Sequence, residues 1–289
     1  MQNGSGRMIG DIAVQRIIEM EVPFFVPHEV FREATPEALE PHRHWLEPNA
    51  MDPETGKLIL PFQSYLVRTK HHTILIDTCI GCGKNIAHRP EWFNRTDQTW
   101  MNNLRAAGVE PEAIDYVFCT HLHADHCGWN TSFVDGRWVP TFPNAKYVFS
   151  QVEYAAAEAR NDIIFQESAL PIMEASQAQL VATDFALDDN VWLQSTPGHT
   201  AGHVAVNLAS NGQSAVMCGD LIHSPIQCVY PEWSPKFDLD KPLAAKTRRH
   251  FLASNAESGQ LVLSAHFPSP SIGHVIAKGD AFQFEYIED

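Results

Sequence analysis

The chain has 289 residues, 44% hydrophobic and 19% charged, with a formal net charge of −15. That length suits one large domain or two small ones. The acidic balance excludes a surface built for nucleic-acid phosphates, and no run approaches the ~18 apolar residues of a membrane span.

The opening MQNGSGRMIGDIAVQ lacks a basic stretch followed by an apolar core. No secretion signal is read, and a cytoplasmic location is expected. NGSG reads as a flexible leader, with Met8 as a candidate start. DIAVQRIIEM (11–20) is the first expected strand. A Pro- and His-rich stretch follows, expected as irregular chain with one short helix. Loops of this length in compact domains are commonly functional, and Phe24, Phe25, Phe31 and Trp45 suggest packing over a pocket. Strands are expected at KLILPFQSYLVRT and HHTILIDT. A helix is expected over 97–108, with Asp97 as N-cap and Gly108 at its end.

AIDYVFCT reads as a short buried strand, followed directly by HLHADH (121–126). AKYVFS is another strand, and residues 151–160 and 163–179 read as helices. NVWLQSTPG, HVAVNLAS and SAVMCGD are strands, the last two joined by an Asn-Gly hairpin turn at 211–212. A helix is expected over 240–256, then the strand QLVLSAHF and the terminal strands GHVIAKG and AFQFEYI. Two sheets packed face to face with helices outside would bury this many apolar strands. No linker-like stretch divides the chain, so residues 1–289 are read as a single domain.

Six cysteines are present. Without a secretion signal, free thiols are expected. Cys79 and Cys82 form a CxxC with no second pair, and they read as ordinary thiols. Cys218 reads as a packed core thiol.

Catalytic metals need donors presented together from rigid elements. In HLHADH, alternation could aim His121 and His123 at one point, while Asp125 and His126 turn toward a second. That is more than one ion easily uses, so two metals are expected. His199 in STPGHTAGH, Asp220 in SAVMCGD and His266 in QLVLSAHFP each follow an apolar strand. His28, His42, His44, His71, His72, His88 and His250 read as surface or loop residues.

THLHADH with TPGHTAGH, CGD and SAHFP resembles the metallo-β-lactamase superfamily over about residues 58–270. The resemblance implies an α/β fold of the αββα sandwich type, two mixed sheets packed face to face. It implies one metal held by His121, His123 and His199, another held by Asp125, His126 and His266, and Asp220 bridging them. Asp77 matches a strand-end aspartate that orients ligands, and His203 matches a motif histidine that is not a ligand. The leader 1–57 would partly cover the active site.

Two such metals would activate a bridging hydroxide. Asp125, Asp220 and His223 are the expected catalytic side chains, and no GxSxG elbow offers a serine nucleophile. Nitrogen and oxygen donors without thiolate suit two zinc ions, with iron, manganese or cobalt also compatible. The long leader and ligand set are most similar to the N-acyl homoserine lactone lactonase and methyl parathion hydrolase branch. Such lactonases carry a tyrosine soon after the bridging aspartate. Here His223 stands three residues on, and the nearest tyrosine is Tyr230. Phe24, Phe25, Trp45, Tyr230 and Trp233 are the candidate pocket walls. The expected function is hydrolysis of a small-molecule lactone or related carboxylic ester. The alternatives are a phosphotriesterase, a glyoxalase-II-like thioesterase and a non-hydrolytic iron protein. For the thioesterase, the basic run KTRRH (246–250) is short as a glutathione site. No nucleic-acid or membrane partner is expected, and a homodimer is compatible with the sequence.

Overall fold

The computed structural model describes residues 6–287; of the NGSG leader, residues 3–5 lie outside them. In chain order the strands are β1 (Arg7–Ile9), β2 (Ile12–Phe25), β3 (Leu58–Arg68), β4 (Thr73–Ile76), β5 (Tyr116–Phe118), β6 (Thr131–Val134), β7 (Arg137–Pro140) and β8 (Lys146–Ser150). They continue as β9 (Ala178–Val181), β10 (Val191–Ser195), β11 (Val204–Ser210), β12 (Gln213–Met217), β13 (Leu261–Leu263), β14 (Ile272–Lys278) and β15 (Ala281–Tyr286). One seven-stranded sheet runs β1-β2-β3-β4-β5-β8-β9, and one six-stranded sheet runs β10 to β15 in order. Both are mixed: β4, β5, β8 and β9 pair in parallel, as do β12 and β13.

Strand alternation divides each apolar strand between two layers. In β4, Ile74 and Ile76 face the second sheet, where they join Val206, Met217 and Leu263. Leu75 points the other way, toward Trp100, Leu104 and Phe165 of the outer helices. In β12, Ala215 and Met217 face inward, while Val216 packs with Phe251 and Leu252 of the helix Lys241–Ser258. The result is helix, sheet, sheet, helix. Among the described residues, no helix is long and apolar enough to cross a membrane.

Several elements differ from the sequence reading. The first strand continues to Phe25, because it goes on pairing with β3 past Met20, with register shifts between Ile18 and Met20 and between Pro23 and Phe25. Phe24 and Phe25 therefore stand on a strand end, not in a loop. The stretch after it forms short helices, Pro27–Val30, Pro36–Leu39 and Arg43–Leu46, rather than one. The expected helix 163–179 is two short helices, Ile163–Ser168 and Leu170–Glu174, followed by β9. Pro171 lacks the N–H to continue the first helix and suits the first turn of a new one. Gln98, not Asp97, is the N-cap of Thr99–Ala106, although Asp97 Oδ1 accepts the Thr99 N–H at 2.9 Å. The β6–β7 hairpin went unread despite its Asp135-Gly136 turn, both residues at positive φ.

Glu19 is the pivotal irregularity. Pairing of β2 with β3 slips between Ile18 and Met20, so Glu19 is a bulge residue. Its side chain turns inward and accepts hydrogen bonds from Ile80 N–H (2.8 Å), Gly81 N–H (3.2 Å) and Trp129 Nε1 (3.0 Å). Ile80 follows the β4 loop and Trp129 follows HLHADH. The two loops cross at glycines: a Cβ on Gly128 would lie 1.8 Å from the Ile80 carbonyl oxygen.

Burial pushes the Glu19 carboxyl up from 4.5 to about 7, against Arg95 and the three donors. A raised folded pKa means that the fold binds the proton more tightly than the unfolded chain. The associated stability is present below about 4.5 and is lost as pH rises through about 7. Glu19→Gln should remove that slope. The stability difference between the two chains should change by about 3 kcal/mol between pH 4 and pH 8 in urea titrations, the native chain losing more. Parallel pH profiles would show that Glu19 does not titrate there.

Candidate metal centre

Each predicted donor sits on the segment that leaves the C-terminal end of a strand. β5 leads to His121 and His123, whose extended backbone gives way to the one-turn helix Ala124–Cys127 carrying Asp125 and His126. β10 leads to His199, β12 to Asp220 and β13 to His266. The fold brings these together as two adjoining donor groups: His121, His123, His199 and Asp220; and Asp125, His126 and His266. Within each group the ligand atoms lie within 4.8 Å of one another.

Asp220 lies between the groups. Its Oδ1 is 2.9 Å from both His126 Nε2 and His266 Nε2. Its Oδ2 is 3.2 Å from His199 Nε2 and 3.7 Å from His121 Nε2. Burial opposes ionisation, but the imidazoles of His126, His266, His223 and His121 hold this carboxyl well below the usual carboxylate range.

The far side of each ring fixes which nitrogen faces the centre. Asp77, on a residue at φ 58, accepts from His126 Nδ1 at 2.8 Å and from the Thr120 N–H at 2.8 Å. Thr120 Oγ1 donates to Asp77 Oδ2 (2.9 Å), which leaves it to accept from His121 Nδ1 (3.1 Å). His199 Nδ1 donates to Asp238 Oδ1 at 2.9 Å, and His266 Nδ1 to the Pro61 carbonyl at 3.0 Å. In these four histidines the outer nitrogen is engaged and Nε2 faces the centre, the nitrogen a metal would take. His123 turns Nδ1 inward, 3.0 Å from both His121 Nε2 and His199 Nε2. Three ring nitrogens around one point, with a buried Asp220 Oδ1 lacking a hydrogen bond, fit a cation. The donor set carries no thiolate.

Three further buried groups support this layer, His203 as the non-ligand motif histidine read from the sequence. Glu153 accepts from the Leu122 N–H and the Gly202 N–H, both at 3.1 Å, tying the first histidine loop to the His199 loop. His203 accepts the Asp220 N–H at 3.0 Å and contacts the Thr196 hydroxyl at 2.8 Å. Arg248, read as part of the basic run 246–250, is fully buried in the helix Lys241–Ser258. It donates to Asp238 Oδ2 (3.0 Å) and to the Leu221 carbonyl (2.7 Å) beside Asp220. All six cysteines are free thiols.

Above the centre lies a cavity of about 240 Å³. Its apolar wall is Phe25, Leu60, Phe62, Trp92, Ile164 and Phe237; its polar lining includes His123, Asp125, Asp220, His223 and His266. Of the candidate wall residues, Phe25 lines it. Phe24 is not part of the lining; it stacks on Trp92 (5.8 Å, 8°) and meets Phe62 edge-on at 5.1 Å. Trp45 is 38% exposed and bonds to His42. Tyr230 stacks on Trp233 at 4.3 Å and bonds to His42 at 2.9 Å. Arg248 grips the carbonyls of Pro231 and Trp233, so that loop presents Phe237 to the cavity instead. His88, read as a loop histidine, is exposed yet lines the cavity.

A double-sheet sandwich with helices on both outer faces and histidine and aspartate donors at its strand ends defines a metallo-β-lactamase-type fold. The signature of the Metallo-beta-lactamase superfamily matches residues 62–258, and the chain belongs to that superfamily. It is 28% identical over 175 residues to an N-acyl homoserine lactonase of Bacillus sp, a match covering 56% of this chain and 64% of that protein. Among solved structures, the hydrolase AbOPH of the beta lactamase superfamily superposes with a TM-score of 0.81 at 24% identity, covering 100% of this chain and 99% of the other. AidC, a dizinc quorum-quenching lactonase, superposes with a TM-score of 0.77 at 22% identity, covering 99% of each chain. At those identities the two structures speak for the fold.

Asp238→Asn and Arg248→Ala should each weaken metal retention about 10- to 100-fold, read by competition with a chelator. Retention equal to that of the native chain would remove this pair from the support of His199.

Proposed function

We propose that the chain is a dinuclear metal-dependent hydrolase that cleaves a lactone or related carboxylic ester. The observation that carries this reading is the pair of donor groups meeting at Asp220 beneath a largely apolar cavity. His121, His123 and His199 would hold one ion and Asp125, His126 and His266 the other, with Asp220 bridging. Zinc suits this set, and iron, manganese or cobalt are compatible. Ions held there would supply hydroxide at neutral pH and polarise the attacked carbonyl.

The chain's own side chains supply the rest. The apolar wall receives the acyl or ring portion and excludes water from it. In this reading residues 6–57 belong to the same domain as the centre and contribute Phe25 to that wall.

His223 is the residue proposed to meet the reacting oxygens. Its ring lines the cavity, nearly parallel to His266 at 5.6 Å. Nε2 lies 3.1 Å from Asp220 Oδ2, but neither ring nitrogen has an aligned hydrogen-bond partner. Burial lowers its pKa and favours the neutral ring. A neutral imidazole with an uncommitted N–H can donate to the carbonyl oxygen or to the departing alkoxide.

Elemental analysis of the purified protein should find about two metal ions per chain. On that material, kcat/KM for lactones and aryl esters should exceed that for an aryl phosphotriester by at least about tenfold. The reverse order would replace this reading with a phosphotriesterase. Asp220→Ala should retain about one ion and almost no activity; full activity would remove Asp220 from the site.

A further inference from the structure

The cavity changes character along its length. Carboxylates and imidazoles form its buried end, aromatic and aliphatic side chains its middle, and His88 and Arg89 its solvent side. Arg89 is the one permanently charged cation in that lining. Its guanidinium carbon stands 5.0 Å from the Phe25 ring centroid, 5.5 Å from Trp92 and 5.8 Å from Phe237. The backbone beneath it is held on both sides. The Arg89 N–H donates to the Ile86 carbonyl at 3.0 Å, and the Arg89 carbonyl accepts from Trp92 N–H (2.9 Å) and Phe93 N–H (3.0 Å). That turn sets Arg89 and Trp92 side by side.

Rings attract a guanidinium through its flat face. Its N–H donors lie in the plane and point outward from the edge. Among the described residues, no carboxylate forms an ion pair with Arg89 and no carbonyl accepts from its guanidinium. Elsewhere in the chain, buried Arg248 has its carboxylate. A positioned planar fork with its donors uncommitted matches a carboxylate, which it can bind through two parallel bonds. The net charge of −15 offers an anion no long-range attraction, so selectivity for one would be local to this residue. The cavity, about 240 Å³, falls below the roughly 300–1,000 Å³ of common ligand sites, which favours a short substrate.

We propose that Arg89 is a substrate-binding residue for a carboxylate remote from the scissile bond, so that the preferred substrates are short esters or lactones bearing a free acid. This rests on the hydrolase reading above. The test uses two aryl esters of equal shape, mono-4-nitrophenyl glutarate and 4-nitrophenyl 5-methylhexanoate, which differ only in a terminal carboxylate against an isopropyl group. The metal-loaded native chain should prefer the glutarate by about tenfold in kcat/KM. Arg89→Met should abolish that preference by raising KM for the glutarate, while Arg89→Lys should retain part of it. Added salt should shrink the preference in the native chain alone.

Equal rates on the two esters in the native chain, or a preference that survives Arg89→Met, would overturn the proposal and leave the hydrolase reading intact. If neither ester is hydrolysed, the hydrolase reading falls instead. Calorimetric binding of monomethyl glutarate then decides on Arg89 separately. Tighter binding by the native chain than by Arg89→Met supports the site, and equal binding overturns it.

Discussion

The site is organised around one buried carboxylate. Asp220 offers one oxygen to His126 and His266 and the other to His199 and His121. A buried charge without partners is expensive, so the surrounding rings must stay close and correctly turned. The strand ends bring them close. The turning is done one layer further out by Asp77, Thr120, Asp238 and the Pro61 carbonyl, each occupying the nitrogen that faces away.

That outer layer joins parts of the chain that are far apart in sequence. Asp77 leaves the end of β4 and holds a histidine delivered by β5. Pro61 belongs to β3 of the first sheet and holds a histidine delivered by β13 of the second. Glu153 sits between the loops that follow β5 and β10. The packing of the two sheets and the alignment of the donors are therefore one arrangement. A shift between the sheets would misplace ring nitrogens as well as core side chains.

Much of this was legible in the sequence, because the donors cluster in short runs at the ends of apolar strands. HLHADH, His199, Asp220 and His266 could be read from local pattern, and so could the two runs of strands. What could not be read depends on contacts between distant segments. Nothing around Asp238 marks it as the partner of a residue 39 positions earlier. Arg248 sits in a short basic run, and only folding buries it against Asp238. The pocket aromatics were misjudged for a similar reason. Trp233 and Phe237 share one loop, fixed by distant partners: Arg248 and Gln227 on the Trp233 carbonyl and the Val30 carbonyl on the Lys236 N–H. Arg89 carries no sequence signal, because its three rings come from different segments.

The bulge at Glu19 shows a trade between two kinds of order. A straight β2 would pair one more residue with β3 and continue the ladder without interruption. It would also withdraw a carboxylate from three donors, two on the loop after Asp77 and one on the tryptophan just past His126. The strand thus gives up regularity at its middle and gains a clasp across the two loops. A change that repaired the strand would look conservative in the sheet and would loosen a centre built from other segments.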